Sequence, residues 1–455
     1  MSGQPTWVGE ENVALLTDLY QLTMMQAYLE EGLEGEAAFS LFVRRLPPQR
    51  NFLLACGLDD ALDYLERLHF TDDALAYLSS LHLFSDGFLR RLRDMRFGGD
   101  VHAVPEGTPI FAAEPILEVV APLPVAQLVE TAVMNQVHLQ IVAASKAARV
   151  VAAARGRTVV DFGLRRIHGA DAGLKVARAA FVAGVDATSN VLAGKLYGIP
   201  VAGTMAHSYV QAHDAQLDAF RAFARVYPRT TLLVDTYDTL AGVHDVVRLA
   251  RELGPAFQVR ALRLDSGDLL ALSRQARRIL DEAGLQKVEL FASGGLDEHA
   301  VDRLVRAGAP IAGFGVGTAM GVSDDAPTVD IAYKLVSYAG RGRMKLSPGK
   351  ALLPGRKQVF RVEHDGRAER DVLAGHGEAQ PGRPLLAQVM AGGRRLFPRP
   401  DLATLRARAR EELGRLPGRL LGLAPATPPY PVEVSAGLGA LRDELAASLA
   451  GPKVR

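Results

Sequence analysis

The residues of this chain best suited to chemistry stand in two short runs. The first, IPVAGTMAHS at 199–208, breaks an apolar stretch at Gly203-Thr204 and sets His207 at the opening of an amphipathic segment. A buried strand, a tight turn and a helix start are expected there. Free backbone N–H groups and the positive end of a helix dipole gather anions at such a place. A histidine among them is placed for chemistry, or is a helix-start histidine with a structural hydrogen bond. The second run, RLDSGD at 263–268, puts Arg263 and Asp265 where another apolar stretch stops. A guanidinium there suits a carboxylate or a phosphate, and carboxylates suit sugar hydroxyls or Mg²⁺. Arg263 and Asp265 could also simply pair with each other.

These runs belong to a rhythm. Strand-like stretches fall at 158–162, 183–186, 199–202, 231–235, 259–264, 288–291 and 311–314, with helical patterns between most of them, at 206–225, 239–253, 269–283 and 297–307. Strand, polar or glycine turn, then helix, repeated about seven times, implies parallel βα units, and an irregular or incomplete α/β barrel fits the count better than an open sheet. Active sites of such barrels lie at the carboxyl ends of the strands. Those ends carry Asp161-Phe162 with Arg165-Arg166, Ser189-Asn190, Thr204 with His207, Asp235-Thr236-Tyr237, Arg263 to Asp268, Ser293-Gly294-Gly295, and Gly315 to Thr318. In the last two loops, ASGGLD and GFGVGT, glycine lets backbone N–H groups approach an anion, where barrels commonly hold phosphate. Taken singly, Phe162 and Tyr20 read as core side chains.

Around this barrel, assigned to 126–344, the texture differs. Residues 12–31 read as a helix capped by Thr17 or Asp18, 37–43 as a strand, 58–68 and 72–92 as helical, and 96–121 as β-rich. A long apolar helix at 125–154 is interrupted in its later part only by Lys146 and Arg149. Short strands such as 358–362 suggest that 345–400 completes the N-terminal domain of 1–125, making the β-rich domain discontinuous. A helical tail over 401–455 follows, with helices at 402–413 and 438–449 and a Pro-rich link at 424–432.

The 455 residues are 48% apolar and 23% charged, an ordinary globular composition. Lys plus Arg number 52 against 51 for Asp plus Glu, which leaves no excess charge for neutralising nucleic acid. The basic cluster at 406–410 reads as a helical surface. One cysteine, Cys56, excludes an internal disulfide and a cysteine-based zinc site, and suits a reducing, cytoplasmic setting. The N-terminus lacks the basic and apolar regions of a secretion signal. No stretch approaches 18 apolar residues without charge, so no membrane span is expected. No residue is assigned as a metal ligand.

LLTDLYQLTM, DFGLRR, TSNVLAG, GTMAHS, DTYDTL, RLDSGDL and GxGT, in that order, resemble nicotinate phosphoribosyltransferase, from about residue 15 through MKLSPGK at 344–350. The resemblance implies that nicotinate and phosphoribosyl pyrophosphate give nicotinate mononucleotide and pyrophosphate, coupled to ATP hydrolysis, within NAD biosynthesis and salvage. It matches His207 to the histidine that ATP phosphorylates, and Asp265 to the acid near the ribose. Tyr20 and Phe162 match the rings that sandwich the pyridine, Tyr20 from a partner subunit, which implies a homodimer with shared sites. Arg263 matches the arginine facing the substrate carboxylate, Thr204 lies at the nicotinate site, and Gly294, Gly295, Gly317 and Thr318 match the phosphate loops. Mg²⁺ is implied on the pyrophosphate. The related nicotinamide phosphoribosyltransferase carries an aspartate where Ser189 stands; serine there, with Arg165 and Arg263 close by, favours the acid. The rival readings are that nicotinamide-specific relative, a quinolinate phosphoribosyltransferase, whose chain is normally shorter, and a catalytically weak phosphoribosyl-ligand sensor that kept the fold, which loss of His207 or Asp265 would support, whereas both are present.

Overall fold

The computed structural model describes residues 8–347 and 352–450, so the last part of the MKLSPGK run, 348–350, lies outside the described residues. The chain divides into two compact units.

The unit formed by 143–327 with 422–424 holds a six-stranded parallel sheet. In spatial order its strands are Ala187–Thr188, Thr158–Asp161, Gly313–Val316, Glu289–Ala292, Ala261–Leu264 and Thr231–Leu233. The last of these strands in chain order pairs with the first, Phe314 opposite Val159, which is the closure a barrel requires. The ring stays open between Thr231–Leu233 and the third expected strand, where the described residues show only a bridge between Thr188 and Val201. Pro200 explains the shortfall. It accepts from the Thr188 N–H at 3.0 Å but has no N–H of its own to extend a ladder. The stretch 183–186 is not a strand either. Gly184, at φ +113°, turns the chain out of the Ala170–Val182 helix, and pairing begins only at Ala187.

The single helix expected at 206–225 is two helices, His207–Gln211 and Gln216–Val226. The ring of His213 binds the Tyr209 carbonyl at 2.9 Å, the acceptor that its own N–H would need to continue the helix. Elsewhere aspartates cap the helices as their spacing suggests. Asp238 accepts from Ala241, Asp268 from Leu270 and Ala271, and Asp297 from Ala300. Leu232, Leu233, Val246, Leu249, Leu262 and Phe220 fill the space between sheet and helices. Each such burial contributes about 1.5–3 kcal/mol relative to exposure.

The second unit gathers the described residues of 1–142, 328–421 and 425–455, so its boundaries fall at 142/143 and 327/328 rather than at 125/126 and 344/345. Its seven-stranded sheet takes strands from separated stretches, in the order Arg341–Gly342, Ile331–Tyr338, Glu36–Val43, Pro115–Pro122, Asp100–Ala103, Ala387–Ala391 and Arg394–Arg395. A four-stranded sheet adds Arg383–Pro384, Lys357–His364, Arg367–Gly375 and Val432–Val434. That last strand begins where the Pro-rich link ends, and the helix Leu402–Arg415 packs so closely on Gly107 that a Cβ there would meet Leu405 and Ala409 at 3.0 Å. The C-terminal stretch is therefore part of this unit and not a separate tail. Tight backbone approach, which leaves little trace in composition, accounts for the difference.

One helix, Glu130–Ala154, is long and apolar enough by length and composition to cross a membrane, but 78% of its apolar window is buried inside the protein. It is a core helix.

Candidate active site

The carboxyl ends of the parallel strands converge on His207, Arg263 and Asp265. His207 opens its short helix, and its Nδ1 lies 3.1 Å from the Thr236 hydroxyl, which follows the Thr231–Leu233 strand. Its Nε2 is 3.7 Å from Oδ2 of Asp265. The other Asp265 oxygen accepts from the Ser293 hydroxyl, and the Asp265 N–H donates to Oδ2 of Asp235 at 3.0 Å. Asp235 also accepts from Ser266 at 2.5 Å, while its Oδ1 is buried without a partner among the described residues. Two loops besides its own thus hold the residue that faces the imidazole.

Arg263 does not spend its charge on Asp265. Its Nη1 donates to the Thr204 hydroxyl at 2.5 Å, and its Nε is buried with no partner among the described residues. Burial pulls its pKa down, Asp265 and Asp235 work against that, and the nearby Arg165 guanidinium adds to it. An under-satisfied guanidinium beside a second cation is a socket for an anion. Arg165 itself is exposed and Ser189 is half-buried, its N–H donating to the Asp161 carbonyl at 2.9 Å.

Phe162 is half-buried, with its ring centroid 6.1 Å from that of Phe291, which stands opposite Arg263 on the neighbouring strand. Glycines make room for both rings. A Cβ on Gly315 would lie 2.4 Å from the Phe162 ring, and one on Gly313 would lie 2.9 Å from Phe291. Below, Asp161 is buried and its carboxyl is pushed up by that burial, although the Gly163 N–H at 2.8 Å and the Thr188 hydroxyl at 2.7 Å oppose the shift. It is a brace for the Phe162 turn.

The two glycine loops stand on neighbouring strands. At Gly294, φ is +85°, and a Cβ would meet the Asp265 carbonyl at 1.7 Å, so only glycine fits. Gly295 follows at φ +62° with open space around it. Gly317 precedes Thr318, whose hydroxyl accepts from Arg166 at 3.1 Å. Tyr20 belongs to the other unit, where it stands 47% exposed on the helix Leu19–Glu30 and not in a core. Thr236, Asp235, Ser293 and Asp161 were not singled out as site residues from sequence. Their only signal was position, each standing at a strand's carboxyl end.

An incomplete α/β barrel whose strand ends assemble a histidine, paired aspartates, an arginine socket and two glycine loops defines an enzyme that handles anionic substrates. The chain belongs to the nicotinate phosphoribosyltransferase family: residues 15–138 match its N-terminal domain and residues 158–342 the family proper. It is 56% identical to nicotinate phosphoribosyltransferase pncB2 of Mycobacterium tuberculosis over 93% of this chain and 91% of that one. The enzyme of Bacillus subtilis is 41% identical over 81% of this chain and 77% of its own length. The crystal structure of human nicotinic acid phosphoribosyltransferase superposes with a TM-score of 0.84 at 30% identity, over 94% of this chain and 99% of the human one.

Proposed function

We propose that this enzyme joins nicotinate to phosphoribosyl pyrophosphate, forming nicotinate mononucleotide and pyrophosphate for NAD biosynthesis, and that ATP drives the reaction by phosphorylating His207. The observation that carries the reading is the Arg263 socket. A half-satisfied guanidinium, next to the Phe162 and Phe291 rings and reinforced by Arg165, suits a flat aromatic ring bearing a carboxylate.

In the transfer, the pyridine nitrogen of nicotinate attacks C1 of the ribose with its lone pair, and the bond from C1 to the pyrophosphate oxygen breaks. No proton moves, so no general base is needed, and positioning is the main task. Phe162 and Arg263 orient the ring; Thr204, tied to Arg263, lines the same place. Asp265, held by Ser293 and Asp235, is suited to the ribose hydroxyls and to the positive charge that builds on the sugar. The Gly294-Gly295 and Gly317-Thr318 turns offer backbone N–H groups to phosphate. Asp235, with its orphaned buried oxygen, and Asp265 would hold Mg²⁺ carried on the pyrophosphate, where the ion offsets leaving-group charge.

For ATP coupling, the tautomer in which Nδ1–H donates to Thr236 is the one that keeps the Nε2 lone pair of His207 for attack. That nitrogen attacks the terminal phosphorus of ATP, ADP leaves, and water later releases phosphate. Tyr20, exposed on its own unit, is suited to close the site of a partner subunit in a homodimer. The single cysteine, Cys56, buried and outside any disulfide, fits a cytoplasmic enzyme.

The test is to supply phosphoribosyl pyrophosphate and Mg²⁺ with nicotinate, nicotinamide or quinolinate, with and without ATP, and to separate the mononucleotides. Product from nicotinate, increased by ATP, is expected. Product mainly from nicotinamide or quinolinate would overturn the choice of ring, and no product from any ring would favour a ligand sensor.

A further inference from the structure

The long core helix Glu130–Ala154 carries two charges in its later part, and the reaction above gives neither a role. Lys146 is 1% exposed, and its ammonium meets Glu298 at 2.7 Å, Asp325 at 2.8 Å and Asp324 at 3.0 Å. Glu298 is 0% exposed and also accepts from Nε of Arg149 at 2.9 Å. Burial works to lower the Lys146 pKa, yet its donation to Asp325 and the adjoining Glu298 carboxylate leave it raised, so the ammonium is charged. An apolar side chain of similar volume would stabilise a core at least as well as such a cluster. What the cluster adds is direction, because each carboxylate must point at one nitrogen.

The places it joins are specific. Glu298 opens the helix Glu298–Arg306, just after the Gly294-Gly295 turn. Asp324 and Asp325 follow the short helix Thr318–Val322, which begins at the Gly317-Thr318 turn. A single buried ammonium therefore ties together the segments that leave both glycine loops. We propose that Lys146 is a positioning residue for phosphoribosyl pyrophosphate, setting the spacing of the Gly294-Gly295 and Gly317-Thr318 turns so that their N–H groups meet its phosphates without rearrangement. The inference rests on the reading of those turns as phosphate cradles. Arg149 holds Glu298 from the second side, so loss of Lys146 does not leave that carboxylate alone.

Calorimetric titration of the full chain with phosphoribosyl pyrophosphate and Mg²⁺, and separately with nicotinate, tests it on wild type, Lys146→Met and Asp325→Asn. Preorganisation lost at one ligand only should weaken phosphoribosyl pyrophosphate binding about tenfold in Lys146→Met and about threefold in Asp325→Asn, with nicotinate binding within about twofold. Asp325 is part-exposed, so its variant keeps the test alive if Lys146→Met does not fold. Unchanged affinity for phosphoribosyl pyrophosphate, or equal losses for both ligands with a fall in Tm, would overturn the proposal. Wild type that binds phosphoribosyl pyrophosphate without making product would refute the catalytic reading alone. Wild type that does not bind it would refute both.

Discussion

His207 and Asp265 face each other with Nε2 and Oδ2 3.7 Å apart, within electrostatic reach and beyond a hydrogen bond. Neither is free to drift. Thr236 holds the imidazole, its neighbour Asp235 accepts from the Asp265 N–H, and Ser293 holds the Asp265 carboxylate from another loop. A gap kept open by separate anchors is suited to a group that is added to one side and later removed.

Thr236→Val removes the anchor of the His207 ring and keeps its shape. Loss of one hydrogen bond, about 0.5–1.5 kcal/mol, should lower the ATP-stimulated rate roughly three- to tenfold and leave the ATP-independent rate little changed. Steady-state rates with and without ATP check this, and His207→Ala should abolish transfer of label from terminally labelled ATP to the protein.

Gly294→Ala is expected to be severe. The added methyl would stand 1.7 Å from the Asp265 carbonyl at a φ of +85°, so the loop must move away from the acid it supports. A destabilisation of about 2–4 kcal/mol and loss of most activity should follow. Gly295→Ala, with open space around its Cβ, should cost markedly less in thermal melts, and equal effects would contradict the geometry.

Ser189→Asp should change the preferred ring. A carboxylate near the nicotinate carboxylate brings like charges together, which costs several kcal/mol, whereas an amide can donate to it. We expect kcat/KM for nicotinate to fall by roughly a hundredfold or more and nicotinamide to be used better than by wild type. Competition between the two rings measures the shift.

A pH effect on stability is expected from His138. Burial lowers its pKa below 6.5, and Nε2 accepts the Val329 N–H at 3.1 Å, so the folded ring is neutral. The unfolded chain then binds more protons between the lowered folded value and 6.5, and stability rises with pH across that window. The contribution is complete above 6.5 and is lost as pH falls below it. His102 and His376 are lowered by burial too and act with the same sign. Denaturant midpoints should therefore drop on acidification from pH about 7 to about 5.5, and His138→Gln should flatten the curve.

The parallel rhythm, the strand ends and the two glycine loops were legible along the chain, because periodicity and turn chemistry depend on neighbours within a few residues. RLDSGD already held both Arg263 and Asp265. It did not tell that Arg263 would turn to Thr204 or that Asp268 would cap a helix. The opening of the barrel at Val201 and the helix break at His213 needed the folded structure, since each turns on where one hydrogen bond goes. The anchors of the site were equally hidden: Thr236 reaches His207, and Ser293 reaches Asp265, only after the strands have closed side by side. Lys146 shows the limit most plainly. Along the chain it is a charge interrupting an apolar helix, and its three carboxylates come from stretches far away in sequence. Local pattern encodes the elements; contacts between distant segments depend on how those elements pack, and packing sets the geometry of the site.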